Sequence, residues 1–486
     1  MADGMTVSDD VDVQQQLVQQ ITPEMDRKML RKIDSLVLPF MVIISTVQYL
    51  DKNGMGYAAV LGLKEDTHLK AQQYSWLGSI FYFGYLLMQL PNYWILTKVP
   101  LGRFIGTLAI AWGACICLMG ACHNFAGLAV LRFFLGIFEA AIMPTFMIMT
   151  ALWYKRDEQP LRTAAWYNTF AGIFGGILSY AIGKIDGPLA TWKYIFLIYG
   201  SVTVVLGIVT VFLLPNVPAT AWFFNHEEKA AAPLRTIGNQ TGTKSRNKFK
   251  ISQCFEAVRD LRYWIIVVQV LAWSIVNSGI TNFNPLIISG YGFSKSKTVL
   301  MATPQAAIAF VAQISCATLA YFIPNIRCLI WTLSCLPALA GAVMIHSLSI
   351  ETHRTASLAG VYMMGFYNVA WVMMMSLVSS NNAGTTKKTF ASVTVAVFYA
   401  VGNIIGPQFF RGDQSPHYPL GIGAMMVSFG VEAVCGIAYG TLCVLENRRR
   451  DRHYGRPDRT KVDTQGVIAD HDDLTDGQNK EFRYVL

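Results

Sequence analysis

Apolar runs of close to twenty residues, parted by short polar breaks, recur along the chain. They lie near 36–58, 76–97, 102–122, 126–149, 164–184, 194–214, 262–286, 300–323, 327–348, 357–379, 389–411 and 419–444. A helix needs about twenty apolar residues to cross a bilayer core. In lipid, backbone polar groups must be satisfied within the segment, so runs this long predict helices, and no period-two alternation of a β-barrel is visible. The pattern predicts an all-α membrane protein with twelve transmembrane helices.

The polar segments set the organisation. Residues 1–35, including "DVQQQLVQQ", read as a cytoplasmic N-terminal tail without a cleavable signal, leaving the first span as its own insertion signal. Residues 446–486, opening on "ENRRRDRHYGRPDRT", read as a disordered cytoplasmic C-terminal tail. The longest polar interruption, 215–261, is a cytoplasmic connecting loop dividing the runs six and six, into an N-terminal bundle at 36–214 and a C-terminal bundle at 262–445. Faint repeats support duplication. "VPLGR" (99–103) resembles "IPNIR" (323–327), "GIFEAA" (136–141) resembles "GFYNVA" (365–370), and "GIFGG" (172–176) resembles "GNIIG" (402–406). The offsets agree within a few residues, which predicts two pseudo-symmetric six-helix bundles around a central pathway. Gly172 with Gly176, and Gly402 with Gly406, have the small-xxx-small spacing that lets helices approach closely.

Composition agrees: 53% of residues are hydrophobic and 14% charged, where a soluble domain carries about 25% charge. The net charge of +9 suggests a nucleic-acid partner until its distribution is read. Segments on the amino-terminal side of the membrane hold roughly three times the Lys and Arg of the other loops, and an excess survives without the long connector and tail. The basic excess is a topology signal, with both termini inside and no nucleic acid as partner. Seven of the nine cysteines lie in or beside apolar runs and read as packing residues, and no His pair has metal-ligand spacing. With no nucleophile–base pair or metal cluster inside the spans, an enzyme is not expected. "NQT" at 239–241 fits a glycosylation pattern that would be idle in the cytoplasm. "HEEK" (226–229) reads as a solvated loop face, while Arg103 and Arg327 read as residues that orient or latch helices.

The chemistry concentrates in "RFFLGIFEAAIMP" (132–144). Arg132 and Glu139, seven positions apart, share a helix face roughly 10 Å apart along the axis, with Gly136 between them. Each charge at mid-membrane costs roughly 2.5–3.5 kcal/mol on the gentlest scale. They must face a cavity or a partner, or form a fixed brace. Asp51 and Lys52 add a second pair late in the first run. The opposing half has no charge in the matching place, where Asn368 aligns with Glu139. It offers Asn277, Thr281 and Asn284 on the seventh span and Asn403 on the eleventh. A dehydrated cation attracts an anion, and a desolvated carboxylate can carry a proton near neutral pH. A proton-coupled anion carrier follows, with a proton gradient as energy source and no cofactor.

These residues resemble the major facilitator superfamily, within it the anion:cation symporter family and its fungal allantoate-permease-like branch. The likeness covers about residues 25–450 and rests on "QYLDKNGMGYAAVLG", "LPNYWILTKVPLGRFIG", "RFFLGIFEAAIMP", "WKYIFLIYG", "LLPNVPATAWFFNHEE" with "GNQTG", and "NNAGTTKKTF…GNIIGPQFF". The resemblance implies alternating access between two six-helix domains and proton-linked import of organic anions. Carried over residue by residue, it implies Asp51 and Glu139 for proton coupling and Lys52 and Arg132 for substrate. Many members have arginine where this chain has Lys52, and lysine gives no bidentate grip on a carboxylate.

The expected function is uptake of a small organic anion, a nicotinate-, allantoate- or pantothenate-like carboxylate, across the plasma membrane by a multi-pass monomer. The alternative is efflux of a secondary metabolite or toxin. Drug antiporters of the superfamily resemble one another in a Gly-Pro-containing fifth-span motif, and "AGIFGGILSYAIG" has the glycines without the proline. A non-transporting nutrient sensor would need a larger signalling tail.

Overall fold

The computed structural model describes residues 22–455 and 473–486, except 71, 156–157, 168–169 and 237–249. The 239–241 glycosylation pattern lies outside the described residues. Among the described residues, every regular element is helical. In the first half, α1 (Pro23–Ala58), α2 (Gln73–Leu96), α3 (Leu101–Met119), α4 (Phe125–Glu139) with α5 (Ile142–Trp153), α6 (Gln159–Trp166) with α7 (Ala171–Ile182), and α8 (Thr191–Leu213) follow the six expected runs. The connector holds α9 (His226–Arg235) and α10 (Ile251–Arg259). The second half runs through α11 (Leu261–Ser289), α12 (Lys295–Met301) with α13 (Thr303–Phe322), α14 (Arg327–Ser347), α15 (Ile350–Met363) with α16 (Tyr367–Asn381), α17 (Thr385–Ile405) and α18 (Pro419–Tyr454). Among the described residues, ten segments are long and apolar enough to cross a membrane. The tyrosine-dense α2 and the α6–α7 run complete the expected twelve.

Local chemistry explains where the helices differ from the apolar runs. α1 starts well before its run because Thr22 caps it, accepting from Met25 N, with Pro23 in the first turn and Glu24 and Asp26 facing the positive end of the dipole. α4 stops at Glu139 and α5 restarts at Ile142. Pro144 has no N–H to give the Ala140 carbonyl, so the helix is interrupted directly after the glutamate.

Two polar segments are more ordered than their composition suggests. Residues 473–486 are docked, not disordered. Asp473 accepts from Thr385 N at 2.6 Å and pairs with Lys250 at 3.1 Å, Asp476 pairs with Lys387 at 2.7 Å, and the Leu486 carbonyl accepts from Arg327 N at 2.8 Å. "HEEK" is the start of α9: His226 and Glu227 are exposed, as a solvated face requires, but Glu228 is buried, closes a capping box with Asn225 and pairs with Lys32 of α1 at 2.5 Å. In each case discrete ion pairs anchor a sequence too polar to register as structure by hydropathy.

The two halves meet at the end remote from the termini. Ser75 and Ser79 of α2 donate to the carbonyls of Phe410 and Ile404 at 2.8 and 2.6 Å, Tyr74 donates to the Asn282 carbonyl at 2.8 Å, and Ser296 donates to the Gly183 carbonyl at 2.9 Å. At the terminal end, ion pairs among the described residues stay within one half or its connector and tail. Asp26 binds Lys155 and Arg235, Arg162 binds Asp34, and Arg262 binds Asp260. The glycine pairs divide between the two kinds of contact. A side chain at Gly172 or Gly176 would overlap Ala306 or Thr303 of α13, across the halves, whereas Gly402 and Gly406 face Ser274 and Ser278 of α11 within their own half.

Candidate functional site

Successive residues of a helix diverge by about 100°, and α1 uses that angle to send its two charges apart. Asp51 turns into its own half, where one carboxylate oxygen accepts from Trp112 Nε1 of α3 at 2.8 Å and Thr203 Oγ1 of α8 at 3.0 Å. Its other oxygen is buried with no hydrogen-bond partner. Lys52 turns toward the other half and donates to the Tyr399 hydroxyl of α17 at 3.0 Å. Its ammonium lies 5.6 Å from the Tyr82 ring centre and 5.7 Å from that of Tyr399, within cation–π range. The expected pair is thus two separate sites.

Arg132 and Glu139 are 3% and 2% exposed, and the alternative of a fixed ion-pair brace between them is not formed. The Arg132 guanidinium donates to the Met55 thioether through Nε at 3.0 Å and through Nη2, and a thioether is a weak acceptor that leaves the charge uncompensated. No carboxylate lies within 4 Å of that guanidinium or of the Lys52 ammonium among the described residues. Glu139 accepts from Gln48 Nε2 at 3.3 Å, and its second oxygen is buried and unpartnered. Gln48 and Met55 are seven apart on α1, as Glu139 and Arg132 are on antiparallel α4, so two contacts in one register join the helices. Gly136, midway, admits the α2 backbone: any side chain there would overlap the Phe81 carbonyl.

The second half supplies neutral polar groups. Asn277 donates to Asn403 Oδ1 at 2.8 Å and accepts from the Tyr367 hydroxyl at 3.4 Å, and Asn284 donates to Gln305 Oε1 at 2.6 Å. Thr281, Asn284 and Asn368 line a cavity between the halves, facing Tyr49, Asn53 and Tyr57 of α1. It has about 40 Å³ of room for the centres of water molecules. That holds a few waters and no vitamin-sized cargo, so the halves are drawn together here. The structure therefore sorts the nine residues singled out in the sequence: Lys52, Arg132 and Glu139 lie between α1, α2, α4 and α17, five neutral residues come from the opposing half, and Asp51 sits behind α1.

An aromatic wall had not been singled out. Trp273 and Trp371 stack at 4.2 Å, Trp371 Nε1 donates to the Tyr167 hydroxyl across the halves at 3.1 Å, and Tyr399 makes edge contacts with Tyr82 and Tyr85. Its signal was present: tyrosine and tryptophan belong at membrane interfaces, and all of these but Tyr167 stand well inside apolar runs.

The profile of the Major Facilitator Superfamily matches residues 41–407. The chain belongs to the major facilitator superfamily. An uncharacterized transporter of Schizosaccharomyces pombe is 38% identical over 94% of this chain and 87% of its own length. The allantoate permease of Saccharomyces cerevisiae is 32% identical over 99% of this chain and 91% of its own. These relatives agree with the fungal allantoate-permease-like branch. In fold, this superfamily member is similar to a bacterial homolog of the human lysosomal transporter Spinster in an inward-facing, unoccupied conformation, with a TM-score of 0.61 at 15% identity over 83% of this chain and 96% of that one. It is a membrane transporter and not an enzyme.

Proposed function

We propose that this transporter imports a small organic anion, a nicotinate-, allantoate- or pantothenate-like carboxylate, together with protons, by alternating access. The observation that carries this reading is that Arg132, buried, and Lys52, half-buried and bonded across the halves, have no carboxylate within 4 Å among the described residues. Two cations drawn out of water without a carboxylate partner favour an anion between them. Lys52 contributes charge and Arg132 a planar donor fork that matches a carboxylate. Asn277, Thr281, Asn284, Asn368 and Asn403 then hold the polar remainder of the cargo.

Glu139, electrostatically coupled to both Lys52 and Arg132, carries the proton. While it is ionised its field offsets part of the charge of the two cations, and once protonated it leaves that charge to the anion. Asp51 is the second proton carrier and acts from behind α1, where its protonation alters what Trp112 and Thr203 grip. The seal at the end remote from the termini fits an inward-facing state, with both termini cytoplasmic, in a plasma-membrane monomer. The test is uptake of a radiolabelled carboxylate panel at two external pH values. Stimulation of one carboxylate by external acid is expected, and uptake indifferent to pH for every member sinks the coupling.

A further inference from the structure

The second half hides a carboxylate of its own. Glu432 lies at the centre of the last apolar run, on α18, and is fully buried. One oxygen accepts from Gln269 Nε2 of α11 at 3.1 Å. The other oxygen, and the Gln269 carbonyl oxygen, are buried without hydrogen-bond partners. The groups facing it are Gln269 from α11, the Cys335 thiol from α14 and Cys435 from its own helix. No Lys, Arg or His nitrogen lies within 4 Å of it among the described residues.

The position has a counterpart. Thr203 and Glu432 are 229 residues apart, the offset that relates Gly136 to Gly365. Trp112 advanced by the 224 residues that relate Arg103 to Arg327 falls at Leu336, beside Cys335. Each half therefore buries one carboxylate where its first, third and sixth spans meet, with one oxygen bonded and the other bare. In the first half the acid comes from α1, and in the second from α18.

We propose that Glu432 is a further proton-binding site of this transporter, occupied while α11, α14 and α18 pack as they do here and exchanging with water during the transport cycle. An ionised carboxylate with one amide donor and no counterion in hydrocarbon is strongly disfavoured. A proton on the bare oxygen removes the charge and supplies a donor to a site short of donors. Release breaks that O–H bond, leaves its electron pair on the carboxylate and passes the proton to water. A metal ion fits less well, since two bare oxygens fall far short of the six or more that hard cations such as calcium take. Gln269 also shares a face of α11 with Trp273, in the aromatic wall, and Asn277, each four residues further on.

The test is infrared spectroscopy of the purified full-length chain without substrate, titrated from acid to alkaline pH. A titrating carboxylic C=O band that is lost in Glu432→Gln, and distinct from those lost in Asp51→Asn and Glu139→Gln, is expected. If Glu432→Gln keeps all the titrating intensity, the proposal is overturned. Should that variant fail to fold, Gln269→Leu is expected to move the frequency of the same band, and an unmoved set of bands overturns it equally. Replacing choline by sodium is expected to leave the midpoint in place, and a displaced midpoint means that a metal cation, not a proton alone, occupies the site. No uptake is measured, so a failure to find a carboxylate cargo leaves this result standing, and the reverse.

Discussion

Lys52 of α1 and Tyr399 of α17 share a hydrogen bond of 3.0 Å across the two halves of the transporter, ammonium to phenol. A phenol is a weak placeholder for an anion. Tyr399→Phe keeps the ring and removes the acceptor, worth about 1 kcal/mol. The expected outcome is a change of about fivefold in the concentration giving half-maximal carboxylate uptake. Lys52→Ala is expected to lose uptake and Lys52→Arg to retain it. Equal uptake by Lys52→Ala and the parent would remove Lys52 from the site.

Glu139→Gln should separate coupling from binding. Gln keeps the shape and the neutral state, so proton-driven accumulation is expected to vanish while exchange of preloaded labelled substrate persists. Concentrative uptake by the Gln variant at the parent level contradicts the role given to Glu139.

Gly176 faces Thr303 with no room for a methyl group. Gly176→Ala overpacks a junction between the halves, at a cost of about 1–3 kcal/mol, and is expected to keep the remote end from closing. Thr303→Ala removes the overlapping hydroxyl and should restore uptake in the double variant. A double variant as impaired as Gly176→Ala places the defect elsewhere.

The docked segment 473–486 should respond to acid. Burial pushes Asp473 upward, but the Thr385 N–H and Lys250 more than offset it and hold its carboxyl below the usual carboxylate range. A depressed folded value stabilises docking fully above the ordinary range near about pH 4 and loses that contribution as pH falls through the folded value. Amide protection factors in 473–486, exchange divided out by the intrinsic rate at each pH, are therefore expected to be high at neutral pH and to fall in acid, and Asp473→Asn should lower them at neutral pH. Exchange in the Asn variant that matches the parent at neutral pH would show that the tail is held without this group.

The membrane architecture was legible because lipid imposes one rule on every span, and twelve apolar runs state it plainly. The charges of α4 stood out for the same reason. The direction each took was not legible: Asp51 and Lys52 read as a pair, and only the packing of α3, α8 and α17 shows them facing opposite ways. Glu432 escaped because an acid with a neutral partner forms no pattern of charges, and the aromatic wall because its members come from five separate runs. Ordered tail and connector segments escaped because ion pairs between distant residues leave no periodicity.

The equal spacing of Gln48 and Met55 against Glu139 and Arg132 has a mechanical meaning. Both contacts lie along one stripe of α4, so a swivel of that helix about its axis disengages the acid and the guanidinium in the same motion. Under the proposed coupling, proton and cargo would be handed over like two teeth of one gear, with no relay between them.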